Sequence, residues 1–117
     1  MRKILMNSAM MPTDGYYFVK QVTKEEFVKQ WKLLKEDFIS SIGYEDNARY
    51  LTKLMGEHIP LNRKETSLKD GDVFFILKLK YRLRNPRYKG KFTPPESDYM
   101  FLVGQYFENY QSFLSKI

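Results

Sequence analysis

The chain has 117 residues, 43% of them hydrophobic and 16% aromatic, which suits one packed domain and leaves no room for a second core. It has no cysteine and one histidine, which excludes disulfides and thiolate metal sites; zinc would need carboxylates and a second subunit, and no cofactor or metal is expected. A net charge of +6 and a pI near 9.4 favour an anionic partner such as a nucleotide, RNA or DNA, unless the cations serve only solubility.

Arg2 to Met6 reads as a short first strand ending at Asn7-Ser8. Its apolar run, broken by Asn7 and stopped by Pro12, is too short for a signal peptide or a membrane span. Pro12 to Gly15 reads as a turn, and Tyr16 to Val22 as a second strand that hairpins back on the first. Thr23 and Glu26 then form a capping box. Phe27, Trp31 and Leu34, at i, i+4 and i+7, give the helix one apolar stripe, and Lys24, Lys29, Lys32 and Lys35 mostly occupy its solvated sides.

Phe38 to Ser41 reads as a strand leading to Gly43, and a second helix is predicted over Glu45 to Met55, with Gly56 as its stop. Glu45 and Asp46 suit the positive end of its dipole, and Ala48, Leu51 and Met55 make its buried stripe. Arg63 to Leu68 is a candidate strand, and residues 69–72 form a turn into the longest strand, Val73 to Arg84. After a basic loop to Pro95, the aromatic tail from Ser97 to Leu114 reads as a helix in which Gly104 is out of place. The mixture predicts an α/β protein: a small mixed sheet of about five strands flanked by helices, one domain over 1–117.

Alternation along the long strand carries the strongest signal of function. Val73, Phe75, Leu77, Leu79, Tyr81 and Leu83 share a core face. The opposite face starts with Phe74 and Ile76 and continues as Lys78, Lys80, Arg82 and Arg84. Four cations at period two repel one another; they are either a solvated face or an anion-binding ribbon, extended by Arg87, Lys89 and Lys91. Arginine suits the second role because its fork engages two phosphate oxygens at once.

The segments SSIGYEDNARYLTKLMGEHIPLNR and GDVFFILKLKYRL combine an Ile-Gly, an amphipathic helix, an Asn-Arg pair and a strand ending in Arg. In this order they resemble the small viral and mobile-element family that includes the anti-CRISPR ring nucleases, which bind and degrade cyclic tetra-adenylate. The resemblance covers residues 1–86 as a family-like core and leaves 87–117 as the chain's own loop and tail. It implies a homodimer around the ligand, with Asn7, Gly43, Arg63 and Arg82 in the ligand pocket. Lys78, Lys80 and Arg84 are the further cations of the ribbon. For a viral protein it also implies the host cytoplasm.

Two positions depart from the family pattern. The residue after Ile-Gly is usually the catalytic histidine, and here it is Tyr44; the glutamate after the strand's Arg-Leu is replaced by Asn85. In the family reaction a ribose 2′-hydroxyl attacks its own 3′-phosphate without metal, while the histidine protonates the departing 5′-oxygen. A phenol is a weaker acid than an imidazolium, so binding with little or no turnover is expected. Tyr44 could instead pack at the helix start or stack on an adenine. His58 falls in a turn and does not match the catalytic position. The expectation is a counter-defence protein that sequesters a cyclic oligonucleotide. The alternative is a basic dimeric module contacting RNA, DNA or a host defence protein directly.

Overall fold

The first strand, β1 (Lys3–Met6), is buried at all four positions, so it needs a neighbour on each side. The computed structural model, which describes residues 2–8, 13–64, 66–80 and 95–116, supplies both. Strand β3 (Phe38–Ser41) runs parallel to it on one side and β4 (Val73–Leu79) on the other, with Ile4 level with Ile39 and Phe74. Strand β5 (Tyr99–Phe107) lies antiparallel to β4, and β2 (Tyr16–Val22) pairs antiparallel with β5 at the far edge. The result is one five-stranded mixed sheet in the order β2-β5-β4-β1-β3.

Both long helices form where their local chemistry predicts. Helix α1 (Lys24–Leu33) starts at Thr23, whose hydroxyl accepts from the Glu26 N–H at 3.1 Å, and the Glu26 carboxylate accepts from Gln30. Helix α2 spans Glu45–Met55 and ends at Gly56, a left-handed cap with φ 75° that costs glycine nothing. Phe27 and Trp31 of α1 and Ala48, Leu51 and Met55 of α2 pack on one sheet face, over Leu5, Phe75, Leu77, Phe101 and Val103. Burying a side chain of this size contributes about 1.5–3 kcal/mol. Lys3 is also buried beneath α1; its ammonium donates to the Trp31 carbonyl and sits 3.9 Å from the Trp31 ring centroid.

Several expectations are corrected. Tyr16–Val22 does not hairpin onto β1, because β3 and β4 already occupy both of its sides; it pairs with β5. The tail is not a long helix. Tyr99–Phe107 is a strand, and Gly104 sits where a Cβ would lie 2.2 Å from the Phe18 carbonyl oxygen and 2.4 Å from the Phe74 ring. That glycine marks a close approach between strands, the usual reason for glycine inside one. Apart from a single 3₁₀ turn at Glu96–Asp98, the described tail is helical only over Tyr110–Leu114 (α3), capped by Asn109, whose side chain accepts from the Ser112 N–H. Arg63 to Leu68 forms no strand at its described positions; the β3 edge is already taken by the preceding segment, where Asn62 bonds Ile42 and Ser40.

The face assigned to cations is also only partly so. Phe74 and Ile76 are fully buried in a second apolar cluster with Ile4, Met6, Leu68, Leu102 and Tyr106. Lys78 and Lys80 beyond them are exposed. Strand β4 is described to Leu79, and the expected continuation through Arg82 to Arg84 lies outside the described residues.

Candidate functional site

In a sheet with parallel strands, ligands commonly sit beyond the strands' C-terminal ends, where side chains from separate strands converge. Here Asn7 follows directly on β1, and Ile42 and Gly43 lead from β3 to the start of α2. The Asn7 side-chain oxygen accepts from the Gly43 N–H at 3.3 Å and ties the two strand ends together. Gly43 in turn lies against Arg63: a Cβ there would be 3.7 Å from the Arg63 Cγ. That is ordinary contact, so Gly43 is not required by its backbone; it keeps space open beside the arginine.

Arg63 is held in place by its neighbours. The Asn62 backbone N–H bonds the Ile42 carbonyl at 2.8 Å, and its side-chain NH₂ bonds the Ser40 carbonyl at 2.9 Å. The Ser40 hydroxyl donates to the Pro60 carbonyl at 2.6 Å, and the Ser41 and Thr66 hydroxyls are 2.6 Å apart. Four short polar side chains therefore fasten the 60–66 segment to the end of β3. Sequence reading missed Ser40, Ser41 and Thr66 as positioning residues. The Asn62-Arg63 pair carried the available signal, since an amide before an arginine can clamp the backbone that presents it.

Arg63 is exposed and has no carboxylate partner among the described residues. The same holds for Lys78 and Lys80. Met6 is level with Ile76, so Lys78 lies two residues beyond the last residue of β1, toward the end that carries Asn7. Other cations are committed: Arg2 to Asp72 at 2.6 Å, Lys24 to Glu96 at 2.5 Å, and Arg49 to Glu45 and Asp46. Unpaired arginine and lysine at one end of parallel strands can attract and hydrogen-bond an anion.

Tyr44 occupies the N-cap of α2 with extended backbone, makes no side-chain capping bond, and is 45% exposed. It is not packed into the core at the helix start. His58 lies exposed in the loop after α2. Of the predicted site residues, the structure brings together Asn7, Gly43, Tyr44 and Arg63; Arg82, Arg84 and Asn85 lie outside the described residues, as do Arg87, Lys89 and Lys91. Among the described residues, no group of three His, Asp or Glu could hold a metal ion, and no helix is long and apolar enough to cross a membrane.

The fold and the cluster define a small mixed-sheet α/β protein with exposed cations, unpaired among the described residues, at the ends of its parallel strands. The model of the STIV B116-like family matches residues 3–94, and the chain belongs to that family. It is 39% identical over 83 residues to protein 26 of Sulfolobus islandicus filamentous virus (isolate Iceland/Hveragerdi), covering 68% of this chain and 69% of the relative. It is 30% identical over 82 residues to ORF117 of Acidianus two-tailed virus, covering 68% and 70%. A third relative is YddF of Bacillus subtilis strain 168, 38% identical over 60 residues, covering 50% of this chain and 55% of YddF. The fold is similar to that of B116 of Sulfolobus turreted icosahedral virus, with a TM-score of 0.68 and 17% identity over 89% of this chain and 98% of B116.

Proposed function

We propose that the chain binds a cyclic oligonucleotide, with cyclic tetra-adenylate favoured, at the Asn7–Gly43–Arg63 cluster, and acts as a counter-defence protein by sequestering it. The observation that carries this reading is a convergence. Three residues that the family resemblance assigns to a ligand pocket, 36 and 20 positions apart along the chain, meet at one strand end with the Asn7–Gly43 bond between two of them. Arg63 offers a fork for phosphate oxygens, and the exposed ring of Tyr44 offers a stacking surface for adenine. A ring repeats its phosphates, so two equivalent sites suit it, and a homodimer goes with the reading.

Cleavage on this reading is slow or absent. The ribose 2′-hydroxyl can attack its own phosphate once the ring is held in line, and cationic side chains can stabilise the charge that develops. The missing element is a strong general acid for the leaving 5′-oxygen, because Tyr44 stands in the histidine's place and Asn85 in the glutamate's.

Calorimetry against cyclic di-, tri-, tetra- and hexa-nucleotides tests the reading. Tight, stoichiometric binding of one ring supports it, and absence of binding to every ring overturns it. Salt-dependent binding to linear RNA or DNA in place of any ring would favour the second reading, a basic module for which the exposed Lys78 and Lys80 are the motivating feature.

A further inference from the structure

Strand β2 is exposed at six of its seven positions, although four of those six are tyrosine, phenylalanine or valine. Tyr16 to Val19 are 37–43% accessible in succession, and Tyr110 of α3 packs against Tyr16 with ring centroids 5.3 Å apart. β2 ends the sheet and pairs only with β5 among the described residues, so one row of its backbone N–H and C=O groups has no strand beside it. Proteins usually guard such a row with charge, proline or a bulge. Lys20 is the single charge within β2. The β3 edge, by contrast, is covered by the 60–62 segment through the bonds of Asn62 and of the Pro60 carbonyl.

The charges beside the β2 edge are sorted along it. At the Tyr16 end lie three exposed acidic residues, Asp14, Asp70 and Glu108. The Tyr106 hydroxyl donates to the Asp14 carbonyl, and the Asp70 carboxylate accepts from the Glu108 N–H at 2.8 Å. Tyr16 is level with Phe107, next to Glu108. Burial, with Glu108, Asp14 and Asp70 adding to it, raises the pKa of the Tyr106 phenol, so all three carboxylates act on one hydroxyl. None of the three makes an ion pair among the described residues, and neither does Lys20 farther along the strand. On a chain of net charge +6, this acidic corner is a local reversal of sign.

We infer that β2 is a docking edge for an extended segment of another protein, which joins the sheet as a sixth strand. Open backbone groups call for a partner with free backbone groups of its own, and an extended peptide has them whereas a helix has already used its own. The edge also states the segment's chemistry. Running antiparallel to β2, it carries an acidic residue opposite Lys20 and apolar residues opposite Phe18 and Tyr16. A lysine or arginine follows where it passes Asp14 and Glu108, and Tyr16 beside them suits the same cation. On the ring reading two copies meet beyond β1 and β3, across the sheet from β2, so both β2 edges of a dimer stay free. A second copy on β2 would tie such dimers into longer assemblies. The choice of another protein over a second copy rests on that reading; the open edge and its charges do not.

The probe is the acetylated, amidated peptide Ser-Glu-Thr-Val-Thr-Val-Thr-Lys-Ser, compared with a form in which its Glu and Lys are exchanged. Titrated at low salt into isotope-labelled protein, the first should shift the amide resonances of Tyr16–Val22 and slow exchange of the outward N–H groups. The exchanged peptide should bind roughly tenfold more weakly, with the difference shrinking as salt is added. Lys20→Glu, at an exposed position, should keep the fold and remove that difference. Absence of β2 shifts from both peptides overturns the inference, and so does a preference that Lys20→Glu leaves unaltered. Shifts in β2 that grow with protein concentration alone would mark a second copy as the occupant. Shifts caused by oligothymidylate and by neither peptide would mark a nucleic-acid surface. Either result overturns the inference. No cyclic nucleotide is added, so failure here is distinct from failure of the ligand reading.

Discussion

Asn7 and Gly43, separated along the chain by β2, α1 and β3, are joined by a hydrogen bond from the Gly43 N–H to the Asn7 side-chain oxygen at 3.3 Å. The amide fixes the end of β1 to the entry of α2 without adding charge beside Arg63. Asn7→Asp keeps the acceptor and adds a negative charge. The expected result is an unchanged melting temperature with cyclic tetra-adenylate binding weakened at least tenfold; equal binding by the variant would remove Asn7 from the site.

Arg63→Ala tests the cation that the 60–66 segment presents. Arg63 is exposed, so the fold should survive its removal. Loss of a charge-assisted contact of ~1.5–3 kcal/mol corresponds to roughly ten- to a hundredfold in affinity. Arg82→Ala should match it by the residue correspondence, and Arg87→Ala should matter less. Titration calorimetry on the three variants ranks them; Arg87 critical and Arg82 dispensable would refute the correspondence.

Tyr44→His with Asn85→Glu should raise single-turnover cleavage of bound cyclic tetra-adenylate in the absence of metal. A restored general acid recovers part of a ~10²–10⁴ factor, and only part, because a catalytic histidine needs its supporting contacts as well as its position. Rapid cleavage by the wild type would show that Tyr44 is no handicap. A double variant that binds and stays inert would show that the geometry is lost with the acid.

Gly104→Ala should destabilise the fold by at least ~1–3 kcal/mol, the range for overpacking a filled site. Its methyl group would meet both a backbone oxygen of β2 and the buried Phe74 ring, neither of which can step aside as a flexible chain end would. Urea denaturation measures the loss, and a neutral substitution would mean that β2 and β5 can separate slightly at no cost.

Tyr50 packs on Tyr99 with ring centroids 5.1 Å apart, and burial of its hydroxyl, with the Glu96 carboxylate adding to it, pushes its pKa well above the usual 10.0. The folded state therefore holds the Tyr50 proton after the unfolded chain has lost it. Stability from this group is complete below pH ~10 and falls as pH rises toward the folded value. Tyr50→Phe should flatten the alkaline limb of a stability-versus-pH curve and leave the neutral region unaltered in shape. An unchanged alkaline limb would place the titration elsewhere.

Much of the fold was legible because its causes are local. The bounds of α2, its Gly56 cap, the Thr23 cap of α1 and the apolar stripes Phe27–Trp31 and Ala48–Leu51–Met55 depend on residues within about one or two helical turns of each other. The α/β class followed from the mixture of such patterns, and so did a count of about five strands, although the fifth is Tyr99–Phe107 in place of the expected Arg63–Leu68. Asn7, Gly43 and Arg63 were named from motif order, which says nothing of their distance from one another.

Only the tertiary structure decided the rest. That Tyr16 lies opposite Phe107 and that β1 is flanked by β3 and β4 are choices among strands far apart in sequence, and alternating residues state a preference for some partner without naming one. The tail shows the same limit: Gly104 looks like a flaw in a helix until the chain folds and Phe18 and Phe74 approach it. Phe74 and Ile76 became core because Leu68 and Tyr106 arrive over them from other parts of the chain, leaving Lys78 and Lys80 exposed. Helical bonds and caps close within a few residues and are written in the local sequence; strand partners, close approaches and the meeting of Asn7 with Gly43 exist only after distant segments have paid the entropy of coming together.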